Sequence, residues 1–352
     1  MGGKALSKPS VRLPKNRYLE VESFVLNELT SRYPGRWAAV PAYRDKPDFG
    51  DLDILASDFP GPQPVSETLD AIEVVNNGPV SSMGILLAEG LFQVDFIKIP
   101  KSAFDFGLRY LAFNDLGNLI GRLAHAAGFK LGHLGLFYVV RDPENPACVI
   151  DEIEVSLSWD GSLEFLGYDS AWYQVEFENG FRRLEDVFQF AASSSYFDPD
   201  LYLLENISHR MRIRDKKRPT YMNFLKWLQA SKCTSKFSWE DRDRVKHRFL
   251  EKAFGFFPRF EEKYRQTLEK SKRLRQFKRK FNGKLVSEWT GLSGKALGEL
   301  MKQISLRFGD RESLIDFVLN HPQSDIIEMT RSFVASDTTT KKRAANSAPS
   351  PR

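Results

Sequence analysis

The sequence predicts an α+β fold, with a mixed sheet and helices in the first half and a helical, basic second half. Three observations carry this prediction. Between Trp37 and Ile99, short apolar runs rich in Val, Ile, Leu and Phe alternate with turn residues, as strands do. Beyond residue 205 the apolar residues recur at helical spacing. That same half concentrates Lys and Arg, although the net charge of the whole chain is only +5.

Each element follows from its own residues. Residues 1–16 carry Lys4, Lys8, Arg12 and Lys15 among Gly, Ser and Pro, and are expected to form a flexible basic arm. A helix from Tyr18 to Tyr33 follows, with Val21, Phe24, Val25 and Leu29 at helical spacing. Strands are expected at Trp37–Val40, Leu52–Leu55, Ala71–Val75, Met83–Leu87 and Phe92–Ile99. Asp115 is placed to cap a helix that runs to Ala127 and stops at Gly128. Strand patterns return at Phe137–Val140, Ile153–Leu157 and Leu163–Leu166, and helix near Leu184. From Asn282 to Leu300 the chain reads as turn, helix, turn, helix. Residues 336–352 read as a disordered basic tail.

Size and composition set bounds. At 352 residues the chain is long enough for two cores. No apolar run approaches the ~20 residues of a membrane helix, and Met1–Lys4 opens no signal-peptide core. The expectation is a cytoplasmic monomer with no membrane partner. Cys148 and Cys233 are too few and too far apart for a disulfide framework or a zinc site. There is no Gly-x-x-x-x-Gly-Lys-Ser/Thr loop, and the serines at 193–195 lack a Gly-x-Ser-x-Gly setting.

The most informative stretch is Asp48-Phe49-Gly50-Asp51-Leu52-Asp53-Ile54-Leu55. Asp51 and Asp53, two apart on a strand, point to one face. Such a pair is more often a turn or a solvated edge, but Ile54 and Leu55 continue it as a buried-looking run. Two carboxylates on one face repel unless a cation lies between them. A third, Asp95, sits in a second apolar strand, Phe92-Gln93-Val94-Asp95-Phe96-Ile97. Three aspartates so arranged suit two hard ions, Mg2+ or Mn2+, serving an in-line phosphoryl displacement.

In the second half, Arg210, Arg212, Arg214, Lys216, Lys217 and Arg218 place six cations in nine residues. Lys272, Arg273 and Arg275 belong to a second basic segment, Lys263–Lys280. One such segment alone is usually a solvated helix face. Two beside a phosphoryl-transfer centre point to a nucleic-acid track.

Gly50-Asp51-Leu52-Asp53-Ile54-Leu55 resembles the Gly-Asp-x-Asp signature of the DNA polymerase beta-like nucleotidyltransferase superfamily. The run Val94, Asp95, Ile99-Pro100-Lys101, Gly107, Tyr110, Asp115, Asn118 and Arg122 resembles the catalytic region of family X DNA polymerases. Leu184–Phe188 and Tyr196–Pro199 resemble the segment that closes that region, so the likeness spans residues 35–202. It implies a polymerase beta-like palm with Asp51, Asp53 and Asp95 as catalytic metal ligands. It further implies nucleotide contacts at Arg44, Gly50, Tyr110, Asp115, Asn118 and Arg122. The implied domains are a palm at 17–109 and a fingers- or thumb-like module at 110–205, while the helical, basic composition beyond them marks a nucleic-acid-binding domain at 206–335.

There are departures from the pattern. The family's Gly-Ser beneath the triphosphate falls at Val40-Pro41, and its Tyr-Phe-Thr-Gly becomes Tyr110-Leu111-Ala112-Phe113. Asn114 tolerates a left-handed conformation, so the lost Gly turn is expected to shift by one residue. Little chain precedes the catalytic region, and the basic half follows it. The reading is therefore addition of nucleotides from NTP or dNTP to an RNA or DNA 3′ end, releasing pyrophosphate, with little or no template reading. The alternatives are template-directed family X-like synthesis, or a non-catalytic nucleic-acid-binding protein on a decayed transferase scaffold.

Overall fold

A computed structural model describes residues 3–145 and 148–346. The chain forms two compact units. The first comprises Met1–Val139 and Glu152–Glu261, and the second Val140–Asp151 and Glu262–Arg352. Residues 206–261, expected with the C-terminal helices, fall in the first unit.

In the first unit a short strand β1 (Leu13–Pro14) leads into α1 (Lys15–Arg32), followed by β2 (Trp37–Ala39), β3 (Asp48–Phe49) and β4 (Asp51–Ala56). Next come α2 (Pro62–Thr68), β5 (Glu73–Asn77), β6 (Val80–Leu87) and β7 (Gly90–Lys98). Strands β2, β4, β7, β6 and β5 form one sheet in that order, mixed because β4 and β7 run parallel while the other pairs are antiparallel. Alternation along β4 and β7 divides their residues between two faces. Leu52, Ile54, Val94 and Phe96 are fully buried in one core with Val21, Val25 and Leu29 of α1. Leu55, on the face of Asp51 and Asp53, packs instead with Ile99 and Phe104. The aspartates thus ride on strands anchored by apolar burial on both sides.

Helices α3 (Phe104–Leu111) and α4 (Leu116–Ala126) follow the sheet. Their close approach needs Gly117, where a Cβ would lie 2.1 Å from the Tyr110 carbonyl oxygen. Strands β8 (Phe129–Gly132), β9 (Gly135–Arg141) and β10 (Val149–Ser156) form a second sheet in the order β10-β9-β8. Then come α5 (Trp159–Phe165), α6 (Ser170–Asn179), α7 (Leu184–Ala191), α8 (His209–Lys216), α9 (Pro219–Ser231) and α10 (Arg242–Phe256). The strand expected at Leu163–Leu166 is helical, because the Ser158 side chain caps α5 by accepting from the Gly161 N–H at 3.0 Å. Asp115 precedes α4 but its side chain caps nothing and accepts from Arg218 instead. Trp239, among the aromatics interleaved with the basic residues, is core, 5% exposed and stacked on Phe249.

α11 (Phe260–Lys280) leads into the second unit, which holds α12 (Gly283–Thr290), α13 (Gly294–Arg307), α14 (Arg311–Asn320) and α15 (Gln323–Asn346). Its core gathers Phe277, Phe281, Val286, Ile304 and Val318. Arg275 and Arg279 pair with Asp142 and Glu144 at 2.6 and 2.8 Å, tying the 140–151 segment to α11. Of the stretch expected as a disordered tail, 347–352 lies outside the described residues and the rest falls within the span of α15. No helix among the described residues is long and apolar enough to cross a membrane.

Candidate metal centre

The parallel register of β4 and β7 sets Asp53 opposite Asp95 and Asp51 opposite Gln93. Carboxylate oxygens of Asp51, Asp53 and Asp95 all lie within 4.8 Å of one another. Burial, together with the charges of Asp51 and Asp95, pushes the Asp53 carboxyl up to about 7. Burial also raises Asp95, against the hydrogen bonds from Ser82 and Gln93. The centre is therefore starved of positive charge. An oxygen-only set of three crowded carboxylates fits a hard divalent cation, and these are the residues that would hold one.

Two cavities flank the triad. One, of about 170 Å³, is lined by Tyr18, Pro41, Asp51, Asp53, Leu111 and others. The second, of about 340 Å³, is lined in part by Arg12, Tyr43, Gly50, Thr220 and Asn223. Lys46, Asp51 and Asn114 line both. Lys46 lies 4.3 Å from the centre of the Phe49 ring, which in turn stacks on Tyr18 at 3.8 Å. Burial lowers its pKa, and the charges of Asp51 and Asp53 work the other way. Asn114 and Phe113 take left-handed conformations, with φ of 62° and 57°. This turn is strapped to the other wall of the site by the Phe113 N–H, which donates to the Pro41 carbonyl at 2.7 Å.

Sequence reasoning missed Lys46. It sits in an irregular loop with no periodicity to place it, and only its nearness to the Asp-x-Asp strand offered a signal. Arg44, two residues earlier, is exposed and lines neither cavity. Gly50 is buried beside Asp51.

The other expected nucleotide contacts gather around α8. Arg122 is 5% exposed and ion-paired with the fully buried Asp215. Arg214 donates to Asp215 at 3.0 Å and to Asn118 at 3.2 Å. Arg218 donates to Asp115 at 2.8 Å, and Tyr110 packs edge-on to Trp159. None of Tyr110, Asp115, Asn118 and Arg122 lines either cavity beside the triad. Arg212 is spent on the chain itself, bonding the Leu204, Glu205 and Ile207 carbonyls. Arg210, Lys216 and Lys217 remain exposed in the first unit. In the second unit Lys272 is exposed, while Arg273 and Arg275 pair with Asp316 and Asp142.

No family model and no curated protein matches the sequence. Among solved structures, a ternary P/T complex of Leishmania infantum polymerase beta is similar at 16% identity and a TM-score of 0.32. The match covers 38% of this chain and 60% of that one, so the chain spans less than two thirds of that polymerase. A likeness of this size leaves the site to be read from its own residues.

Proposed function

We propose that the protein is a metal-dependent nucleotidyltransferase that adds a nucleotide from an NTP or dNTP to a nucleic-acid 3′ end with little or no template reading. The observation that carries this is the carboxylate triad on adjacent parallel strands, with oxygens within 4.8 Å and cavities open beside it. Its likeness to the Gly-Asp-x-Asp signature supplies the reaction class.

In that reaction the acceptor 3′-oxygen bonds to the α-phosphorus, the bond from that phosphorus to the α,β-bridging oxygen breaks, and pyrophosphate leaves. The hydroxyl proton passes to solvent. Two divalent ions, Mg2+ or Mn2+, held by Asp51, Asp53 and Asp95 would acidify the hydroxyl and offset phosphate charge. Lys46, rather than Arg44, faces the cavities and supplies the fixed cation for the phosphates. Asn114, Thr220 and Asn223 offer neutral hydrogen bonds to the sugar and base. Arg210, Lys216 and Lys217 attract the acceptor's backbone by counterion release.

The test is incubation with labelled nucleotides, Mg2+ or Mn2+, and single- and double-stranded RNA and DNA. Extension of a single strand without a template supports the reading. Extension confined to a primed template returns the DNA polymerase alternative. Residues 40–47, where the family begins a helix beneath the triphosphate, form no helix here. This favours the second reading, a nucleic-acid binder on a decayed scaffold, should no extension occur.

A further inference from the structure

The segment expected to be a loose arm is tied down beside the triad. The Gly3 N–H donates to Asp51 Oδ2 at 3.1 Å. The Ala5 N–H donates to Gln93 Oε1 at 2.9 Å, and Gln93 Nε2 donates to both oxygens of Asp95 at 2.9 Å. Ser10 closes the loop, its N–H donating to the Gly3 carbonyl at 3.1 Å and its Oγ accepting from the Gln93 N–H at 3.0 Å. Gly3 has φ of +76°, and a Cβ there would lie 2.4 Å from the Gly50 carbonyl oxygen. Farther along, Ser7 bonds both carboxylate oxygens of Glu73, and Leu6 is 8% exposed.

We infer that residues 3–10 are the outer wall of the metal centre, and that Gln93 is a positioning residue through which this wall orients Asp95. The inference rests on reading the triad as a metal centre. Gln93 is 2% exposed, so its amide is buried with each hydrogen-bonding end committed. With Oε1 held by Ala5, the NH2 end has one direction left, towards Asp95. A carboxylate has about four lone-pair positions, so the contact from Gly3 to Asp51 and those from Gln93 and Ser82 to Asp95 fix the two carboxylates while leaving oxygen free for an ion. Groups that orient metal ligands in this way typically change affinity by 10–100-fold when removed. The sequence gives no hint of the arrangement, because its bonds join residues 48 and 88 positions apart.

The experiment measures Mn2+ affinity by electron paramagnetic resonance for the full chain and for Gln93→Met, Ala5→Pro and the double variant. Gln93→Met keeps the volume and removes the amide, while Ala5→Pro removes the N–H that aims it and also fixes the backbone φ at that position. Each single variant should weaken Mn2+ binding about tenfold, and the double no more than the weaker single, since both cut one relay. Ser10→Ala should act in the same direction and stands in if Ala5→Pro fails to fold, as judged by circular dichroism. Unchanged Mn2+ affinity would overturn the inference, as would tighter binding, which would make the segment a competitor for Asp51. A parent chain that binds no Mn2+ would sink the metal centre itself, whereas binding parent and variants alike would sink only the relay.

Discussion

Replacing Asp53 by Asn should stabilise the ion-free protein and remove its response to divalent ions. The ordinary carboxyl value of 3.8 is raised to about 7 by burial and by the neighbouring aspartates. The folded state therefore binds a proton that the unfolded chain releases, and stability falls as pH rises from about 4 to about 7. At ~1.4 kcal/mol per pKa unit, the shift bounds the penalty at about 4 kcal/mol. Solvent reaching the half-buried carboxyl reduces this to about 1–2 kcal/mol. Asn keeps the shape without the charge, so its advantage should grow between pH 4 and 7 and then level off. For a unit of this size that is a melting-temperature gain of roughly 2–6 °C at pH 8. The assay is a set of thermal melts from pH 4.5 to 8.5 in EDTA, repeated in Mg2+ and in Mn2+. Asp95 is raised as well, so a weaker pH slope should persist in the variant. Added ion should raise the melting temperature of the parent and leave Asp53→Asn nearly unmoved. A variant less stable than the parent at pH 8 in EDTA would refute the charge-crowding account.

The remaining predictions concern transfer and binding. Asp95→Ala should abolish nucleotide transfer with stability held or raised, checked by turnover at saturating Mg2+ and by melts in EDTA. Lys46→Met should raise the nucleotide KM about tenfold or more, while Arg44→Met changes it less than twofold, read from initial rates. Replacing Arg210, Lys216 and Lys217 with Ser should weaken acceptor binding and flatten its salt dependence, with nucleotide affinity unchanged. Arg212→Ser should instead lower stability, by losing its bonds to three carbonyls. Competition between each NTP and its dNTP on one primer should show weak discrimination or a tilt to ribonucleotides, because the left-handed turn at Phe113 and Asn114, whose Asn114 lines both cavities, is built without Gly.

The sheet and the triad were legible because burial writes itself into sequence locally. Leu52, Ile54, Val94 and Phe96 had to be apolar to anchor the two strands, and that made the aspartates between them conspicuous. The positive φ at Asn114 could be read from its tolerance of that conformation, but the expected one-residue shift did not occur, since Phe113 also keeps a left-handed conformation. The fate of the cations was not legible. Arg122 and Asp215, or Arg218 and Asp115, meet only after folding brings together residues about a hundred positions apart. Composition counts such arginines as free charge when they are internal partners. Lys46 and the 3–10 segment escaped for a related reason. Neither has periodicity: the 3–10 segment takes its place from contacts to Asp51 and Gln93 on distant strands, and Lys46 from the ring of Phe49, whose burial depends on the folded sheet.

The most direct test is label partition during transfer with Mg2+ and a single-stranded acceptor. Label at the α-phosphate of the nucleotide should appear on the acceptor, label at the γ-phosphate should appear only in pyrophosphate, and Asp95→Ala should do neither. Transfer of γ-label to the acceptor, or α-label transfer at the parent rate by Asp95→Ala, would contradict a nucleotidyltransferase built on Asp51, Asp53 and Asp95.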